Sequence, residues 1–414
     1  MLKMRHYVIM NIYWFGLAFM WNALHPIVLP AVLLRFVPDA LKNTYLGGMT
    51  FAGLILAMII QPLSGAWSDR TRSRWGRRRP WMVAGTLATL VILAAMSAAG
   101  GFWVLLITYL LLQSVSNMAH GPAQGLIPDL VPEGRRGLAS GWKNLFDMTG
   151  LIVASLVAGR LMGQDNPALA FAIIGAVLAV CALTTVVGTP ETPGAAVAPA
   201  PAGNPGLPSE RAGWRGRVAA AIREYPDYAW LIASRFLILL GIYAVQTFAQ
   251  YFIRDRLAVP NAAEVTGNLM AAIGVALTAL VFPAGWLSDR VGRRMLNIGA
   301  GLLAALGIFL LLFVSDVRSL YLVGAIIGMA TGIFVSVNWA LATDLIPADK
   351  AGLYMGLTNI ATAGSASVSR LGGPLIDGLN AARPGAYMGY SALFIVASVS
   401  ALAGALLMFR IRRR

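Results

Sequence analysis

The chain has 414 residues, 58% of them hydrophobic and 12% charged, with a mean hydropathy of +0.71 and a formal net charge of +15. Apolar runs of about 20 residues recur along it, which argues against a soluble multidomain protein and for an integral membrane protein. One cysteine, Cys181, rules out an internal disulfide, and one cysteine with three histidines gives no metal-ligand spacing, so no metal or cofactor is expected.

Twelve membrane-spanning helices are expected, at 8–34, 44–67, 80–101, 103–127, 138–160, 168–188, 228–252, 265–287, 295–315, 319–343, 353–378 and 385–409. Lys3 and Arg5 precede a first span too long for the core of a signal peptide and with no small-residue cleavage site, so none is expected. Span 1 reads "NIYWFGLAFMWNALHP", in which Trp14, Trp21, Asn22 and His25 combine flat aromatic surface with polar tips. Sugars call for both, aromatic faces for their C–H surfaces and amides for their hydroxyls; the tryptophans would equally serve as packing residues. Between spans 2 and 3 stands "SDRTRSRWGRRRP", six arginines within ten positions.

Span 4 carries Gln113, Asn117, His120 and Gln124, spaced 4, 3 and 4, which places them on one helix face. Such a stripe would be costly against lipid, so it should face the bundle interior, either lining a cavity or joining neighbouring helices. His120 either titrates or is held neutral by a hydrogen bond. Asp147 lies about ten residues into span 5, ~15 Å deep at 1.5 Å per residue. A carboxylate at that depth is either a proton-coupling group or half of a fixed ion pair, with Lys143 or Arg235 as partner. Pro26, Pro30, Pro62, Pro122 and Pro283 lie in or at the ends of spans, where they would bend helices.

After span 6 comes "TPETPGAAVAPAPAGNPGLPSERAGWRGR", whose Pro, Ala and Gly content reads as a flexible linker over 190–226. "WRGRVAAAIREYPDY" at its end has the make-up of a short amphipathic surface helix. The chain thus divides into a six-helix bundle over 1–189, the linker, and a second six-helix bundle over 227–414. In the second bundle Tyr243, Gln246 and Gln250 share a face of span 7, Asn338 and Trp339 lie in span 10, and Asn359 lies in span 11. Arg370 and Asp377 are seven apart in span 11 and are expected to pair as a lock toward the outer face.

With both termini and the linker placed in the cytosol, 23 lysines and arginines fall on the cytosolic side and seven on the other, which satisfies the positive-inside rule. The protein is therefore expected to be a multi-pass protein of the cell membrane. The basic loop is a topology and lipid-contact element, not a nucleic-acid site.

The two halves repeat. "GAWSDR" at 65–70 matches "GWLSDR" at 285–290 with an offset of 220, "GRR" matches at 216, and "DLVPEGRRGLASGWKN" at 129–144 matches "DLIPADKAGLYMGLTN" at 344–359 with an offset of 215. Parallel repeats of six spans with a site at their meeting point describe a secondary transporter.

The repeated G-x-x-S-D-R…G-R-R pattern resembles the signature of the major facilitator superfamily. The longer first copy is similar to the form in sucrose–proton symporters and the related glycoside–cation symporters. Span 4, "QSVSNMAHGPAQGLIPD", resembles the sucrose carriers' pattern at Asn117, Gly121, Pro122, Leu126 and Asp129. Two positions depart from it: the family's proton-linked aspartate falls at Gln113 and its sugar-linked arginine at Gln124. Glutamine does not titrate, though it still hydrogen-bonds hydroxylated ligands.

The resemblance implies an all-α membrane protein of twelve helices and a monomer. It implies alternating access for a small solute, a sugar or glycoside, driven by a proton or sodium gradient or by facilitation alone. It also implies a cytosolic gate at Asp69, Arg70, Arg77, Arg78, Asp129, Asp289, Arg290, Arg293, Arg294 and Asp344. Substrate contacts are expected from Trp14, Trp21, Asn22, Gln113, Asn117, His120, Gln124, Tyr243, Gln246, Asn338 and Trp339, and coupling from Asp147. An exporter of amphipathic metabolites or drugs, and a non-transporting sensor or pigment-handling scaffold, are the competing readings. No enzyme constellation and no ATP-binding "GxxxxGK[ST]" loop is present in the sequence, so neither catalysis nor ATP-driven transport within this chain is expected.

Overall fold

The computed structural model describes residues 3–189, 224–346 and 351–412. The expected linker, apart from its last three residues, and most of the expected amphipathic stretch lie outside these. Helices are the only regular structure among the described residues. Eleven of them are long and apolar enough to cross a membrane. In hydrocarbon a chain must satisfy its own backbone donors and acceptors, and a helix does so locally.

The helices are α1 (Met4–Leu33), α2 (Lys42–Arg70), α3 (Arg79–Ser97), α4 (Phe102–Gln124), α5 (Arg136–Gly163) and α6 (Pro167–Gly188), then α7 (Pro226–Asp255), α8 (Ala262–Val291), α9 (Arg293–Leu310) and α10 (Val317–Leu345), then α11 (Ala351–Ser369), α12 (Gly372–Ala382) and α13 (Met388–Leu407). Helices α1 to α10 correspond to the first ten spans. α1 packs on α5 and α6, α2 and α3 pack on α4, and α7 packs on α11 and α13. α5 lies along α8, and α2 lies along α12. Side chains such as Phe282 (82% exposed), Val187 (72%) and Trp103 (71%) point outward, as a lipid-facing surface requires.

Span 11 differs from its expected form. It breaks after Ser369 into α11 and α12. Arg370 and Leu371 turn through bonds three residues back, to Ser367 and Val368. Gly372 and Gly373 weaken the helix, and Pro374 lacks the N–H that would have reached the Arg370 carbonyl. α1 is also irregular: Leu24–Val28 forms a π-helical turn, with the Leu29 N–H bonded to the Leu24 carbonyl. Pro26 and Pro30 disturb the ladder there, a common cause of such bulges.

One end of the bundle carries Arg70–Arg79 and its counterpart at 290–294 and is called the basic end. The opposite end holds dense ties between α1–α6 and α7–α13. Asn43 Nδ2 donates to Asp377 Oδ1 at 2.8 Å, and the Thr44 N–H donates to Asp377 Oδ2 at 2.7 Å. The Tyr251 hydroxyl donates to the Pro30 carbonyl at 2.9 Å. A Cβ on Gly47 would sit 2.2 Å from the Arg370 carbonyl, and one on Gly373 would sit 2.2 Å from that of Asn43, so only glycine allows this approach. Asp377 is thus held by the first turn of α2, where its charge meets the helix dipole, and not by Arg370. At the start of α10, Asp316 caps the helix by accepting from the Ser319 N–H, which holds its carboxyl below the usual range.

Candidate functional site

The basic end contains two matching constellations. In the first, Arg77 pairs with Asp129, and Arg78 reaches both Asp129 (2.9 Å) and Asp69 (2.6 Å). In the second, Arg293 joins Asp344 (2.7 Å) and Asp289 (3.1 Å). Gly76 and Gly292 turn the chain with φ of 97° and 96°, a conformation that side-chain-bearing residues rarely adopt. This explains why glycine precedes the arginines in both copies. Arg79 donates to the Thr189 carbonyl beyond the end of α6, and Arg294 to those of Met408 and Phe409 beyond α13. Those two residues share a role, so the first copy's additional arginine is Arg78, which accounts for the drop in offset from 216 to 215. Arg290 stacks on Trp286 at 3.8 Å. Asp69, Asp289 and Asp344 remain half-exposed (55%, 65% and 52%).

Nearer the opposite end, α1 and α4 build a polar cluster. Gln113 Nε2 donates to the Tyr109 hydroxyl at 2.7 Å, and that hydroxyl lies 3.0 Å from His25 Nε2. Assigning the hydroxyl proton to His25 Nε2 satisfies the chain with a neutral imidazole. Trp21 stacks on His25 with centroids 4.9 Å apart. Asn117 Nδ2 donates to the Gln113 backbone carbonyl at 2.8 Å and to its Oε1 at 3.3 Å. Gln113 and Asn117 are 1% and 4% exposed, so this face of α4 is turned inward.

Toward the basic end, a second cluster forms between α1, α4 and α5. Lys143 Nζ lies 2.7 Å from Asp147 and 4.0 Å from the centre of the Trp14 ring, a cation–π distance. His120 meets the Trp14 ring edge-on at 5.1 Å, and Gln124 Nε2 is 3.4 Å from His120 Nε2. Of the two partners anticipated for Asp147, the one present is Lys143. Arg235 instead donates to Asn338 Oδ1 (2.7 Å) and Thr362 Oγ1 (2.9 Å), and faces Trp339 at 5.9 Å. Thr362 is the repeat position of Asp147, at the offset of 215, so each half places a cation against this point of its fifth helix.

Other expected residues are placed differently. Asn22 bonds back to the Ala18 carbonyl at 2.8 Å. Gln246 borders an apolar crevice with Ile242, Leu269, Ile273 and Phe394. Gln250, with its amide set to satisfy its neighbours, donates to the Pro26 and Ile27 carbonyls at 2.9 Å each, both within the π turn. Tyr243 is half-buried and lies within the field of both Arg235 and Arg370. Tyr109 is not among the expected residues, although it stands four residues before Gln113 and extends the same stripe. Nor is a ligand role among the expectations for Arg235 and Arg370.

A bundle of apolar helices around an inward-facing polar and aromatic interior defines a multi-pass membrane protein of transporter type. The model of the Major Facilitator Superfamily matches residues 6–370. The chain belongs to that superfamily, whose members are transporters and not enzymes. Among curated proteins, it is 23% identical over 263 residues to a sucrose transport protein of Arabidopsis thaliana, covering 52% of this chain and 48% of the relative. It is 28% identical over 178 residues to an uncharacterized symporter of a Synechocystis strain, covering 38% and 32%. A proton-associated sugar transporter of Homo sapiens matches at 37% over 82 residues, 20% of this chain and 10% of that protein. These matches therefore span less than half of each relative's length. Among solved structures, a D-xylose–proton symporter aligns with a TM-score of 0.74 at 15% identity, covering 99% and 98% of the two chains. An inward-facing bacterial homolog of the lysosomal transporter Spinster aligns with the same score at 18% identity, covering 99% and 98%.

Proposed function

We propose that the protein is a secondary transporter that moves a small hydroxylated solute, a sugar or glycoside, by alternating access. The observation that carries this reading is the His25–Tyr109–Gln113 chain with Trp21 stacked on its histidine, hydrogen-bonding groups beside an aromatic face in the interior of a membrane bundle. The sucrose and sugar carriers among its relatives support the solute class. In this reading residues 1–189 and 227–414 rock against each other as two six-helix bundles, joined by a linker over 190–226.

The basic end faces the cytosol, with both termini, and the protein resides in the cell membrane as a monomer among lipids. Under that orientation the Asn43, Thr44 and Tyr251 ties close the outer end, while the half-exposed Asp69, Asp289 and Asp344 belong to a cytosolic gate that is not engaged between the bundles. Trp14, His120 and Gln124 extend the solute path toward the cytosol, and Asn338 and Trp339 line it from the other bundle. Asp147 carries the coupling proton; sodium is the alternative coupling ion.

The test is uptake into proteoliposomes. Sucrose, maltose and a cationic dye are compared with and without a pH gradient. Sugar uptake that a gradient enhances is the expected outcome, and dye movement without sugar uptake would refute the solute class.

A further inference from the structure

The charges of the interior do not balance. Among the described residues, the cations at the inward contacts of the spanning helices include Lys143, Arg235 and Arg370. Lys143 is neutralised by Asp147 at 2.7 Å. The other two meet no carboxylate among the described residues. Arg235, 5% exposed, has only the Asn338 amide oxygen and the Thr362 hydroxyl as acceptors. Arg370 donates from Nη1 to the Ala366 carbonyl and to Ser369 Oγ at 3.2 Å, and its buried Nε has no partner. Two buried acids of the opposite end are engaged elsewhere: Asp255 with Lys42, and Asp377 with Asn43 and Thr44. A guanidinium stays charged at any accessible pH, so these two charges cannot be removed by losing a proton. Leaving them uncompensated inside a membrane is costly.

Both face one region. Arg235 bonds Thr362 and Arg370 bonds the Ala366 carbonyl, one turn further along α11, with Tyr243, His25 and Tyr109 in their surroundings. The orphan groups beside them are donors: Arg370 Nε and Asn338 Nδ2 are buried and unpaired. An anion supplies both the missing charge and the missing acceptors. Arginine's planar fork suits a carboxylate in particular.

We propose that Arg370 and Arg235 hold an anionic group of the transported solute, so that the substrate is a hydroxylated carboxylate, a sugar acid, with its hydroxyls facing His25, Tyr109 and Gln113. This rests on the transport reading above and narrows its solute class.

The experiment uses the full chain in proteoliposomes and in detergent, with galacturonate, galactose and galactose 1-phosphate as probes. Uptake and ligand-induced thermal stabilisation are read together. Galacturonate is expected to be taken up and to stabilise the protein, with galactose weaker by about tenfold or more. Arg370→Gln and Arg235→Gln should each remove that preference, and Arg370→Lys should restore part of it. Galactose uptake with no preference for the acid overturns the inference and leaves sugar transport standing. Preference for the phosphate over the carboxylate overturns the sugar-acid assignment. Acid uptake unchanged in both glutamine variants overturns the assignment of the arginines. If none of the three probes binds or moves, the inference and the sugar reading fall together. The wild-type comparison decides the solute class even where one variant fails to fold.

Discussion

Lys42 Nζ lies 2.8 Å from Asp255 Oδ2, with 5% and 6% of the two side chains exposed, and so ties the first residue of α2 to the last of α7. Asp255 also accepts from the Tyr390 hydroxyl at 2.6 Å. Removing one partner of a buried ion pair leaves an uncompensated charge and costs about 3–5 kcal/mol, whereas replacing both partners is often nearly neutral. Lys42→Met and Asp255→Asn should therefore each lower the thermal unfolding midpoint in detergent. The double variant should recover most of that loss. Additive losses would show that the two residues do not act as a pair.

Gly47 and Gly373 test the same closure sterically. Each stands where a Cβ would come 2.2 Å from a carbonyl on the facing helix. Gly47→Ala must push α2 away from the α11–α12 break, at a cost of about 1–3 kcal/mol for overpacking. The expected result is slower uptake, with thiol reagents reaching a cysteine introduced near Asn43 more readily. Unchanged labelling and uptake would mean that this approach is not part of the closure.

Gln250 bridges the irregular part of α1. Its amide donates to two carbonyls of the π turn, and each buried group left unsatisfied costs about 1–3 kcal/mol. Gln250→Leu should lower the unfolding midpoint and reduce transport. Gln250→Glu keeps the shape but, when ionised, turns acceptors toward acceptors, so it should be at least as damaging. A glutamate variant as stable as wild type would refute the donor role.

The helices were legible in the sequence because apolar length and polar loops are local signals. The two matching basic loops were legible because a duplicated loop in constant register stands out against lipid-facing variation. The ties of the opposite end were not, because they join residues as far apart as Asn43 and Asp377, separated by 334 positions. The expected Arg370–Asp377 pair rested on an unbroken helix. The "GGP" at 372–374 signalled the break, and past it Asp377 turns toward the N-terminus of α2. Tyr109 was within reach, being one helical turn from Gln113, but a tyrosine in an apolar run reads as packing until its hydroxyl is seen to join His25 and Gln113.

Asp147 offers the sharpest separation of coupling from structure. Lys143 holds it at 2.7 Å while also facing the Trp14 ring, so ion pair, aromatic surface and His120 form one contact set. Asp147→Asn keeps an oxygen acceptor for Lys143 but removes the group that takes up and releases a proton. If Asp147 carries the coupling proton, the variant loses accumulation driven by a pH gradient and still exchanges labelled for unlabelled solute across the membrane. A purely structural pair predicts the reverse: a lowered unfolding midpoint, with exchange and gradient-driven accumulation reduced together. Measuring exchange, accumulation and unfolding on the same preparation separates these cases. Gradient-driven accumulation at the wild-type level in Asp147→Asn would end the coupling proposal, since no titrating side chain would remain at that position to move the proton.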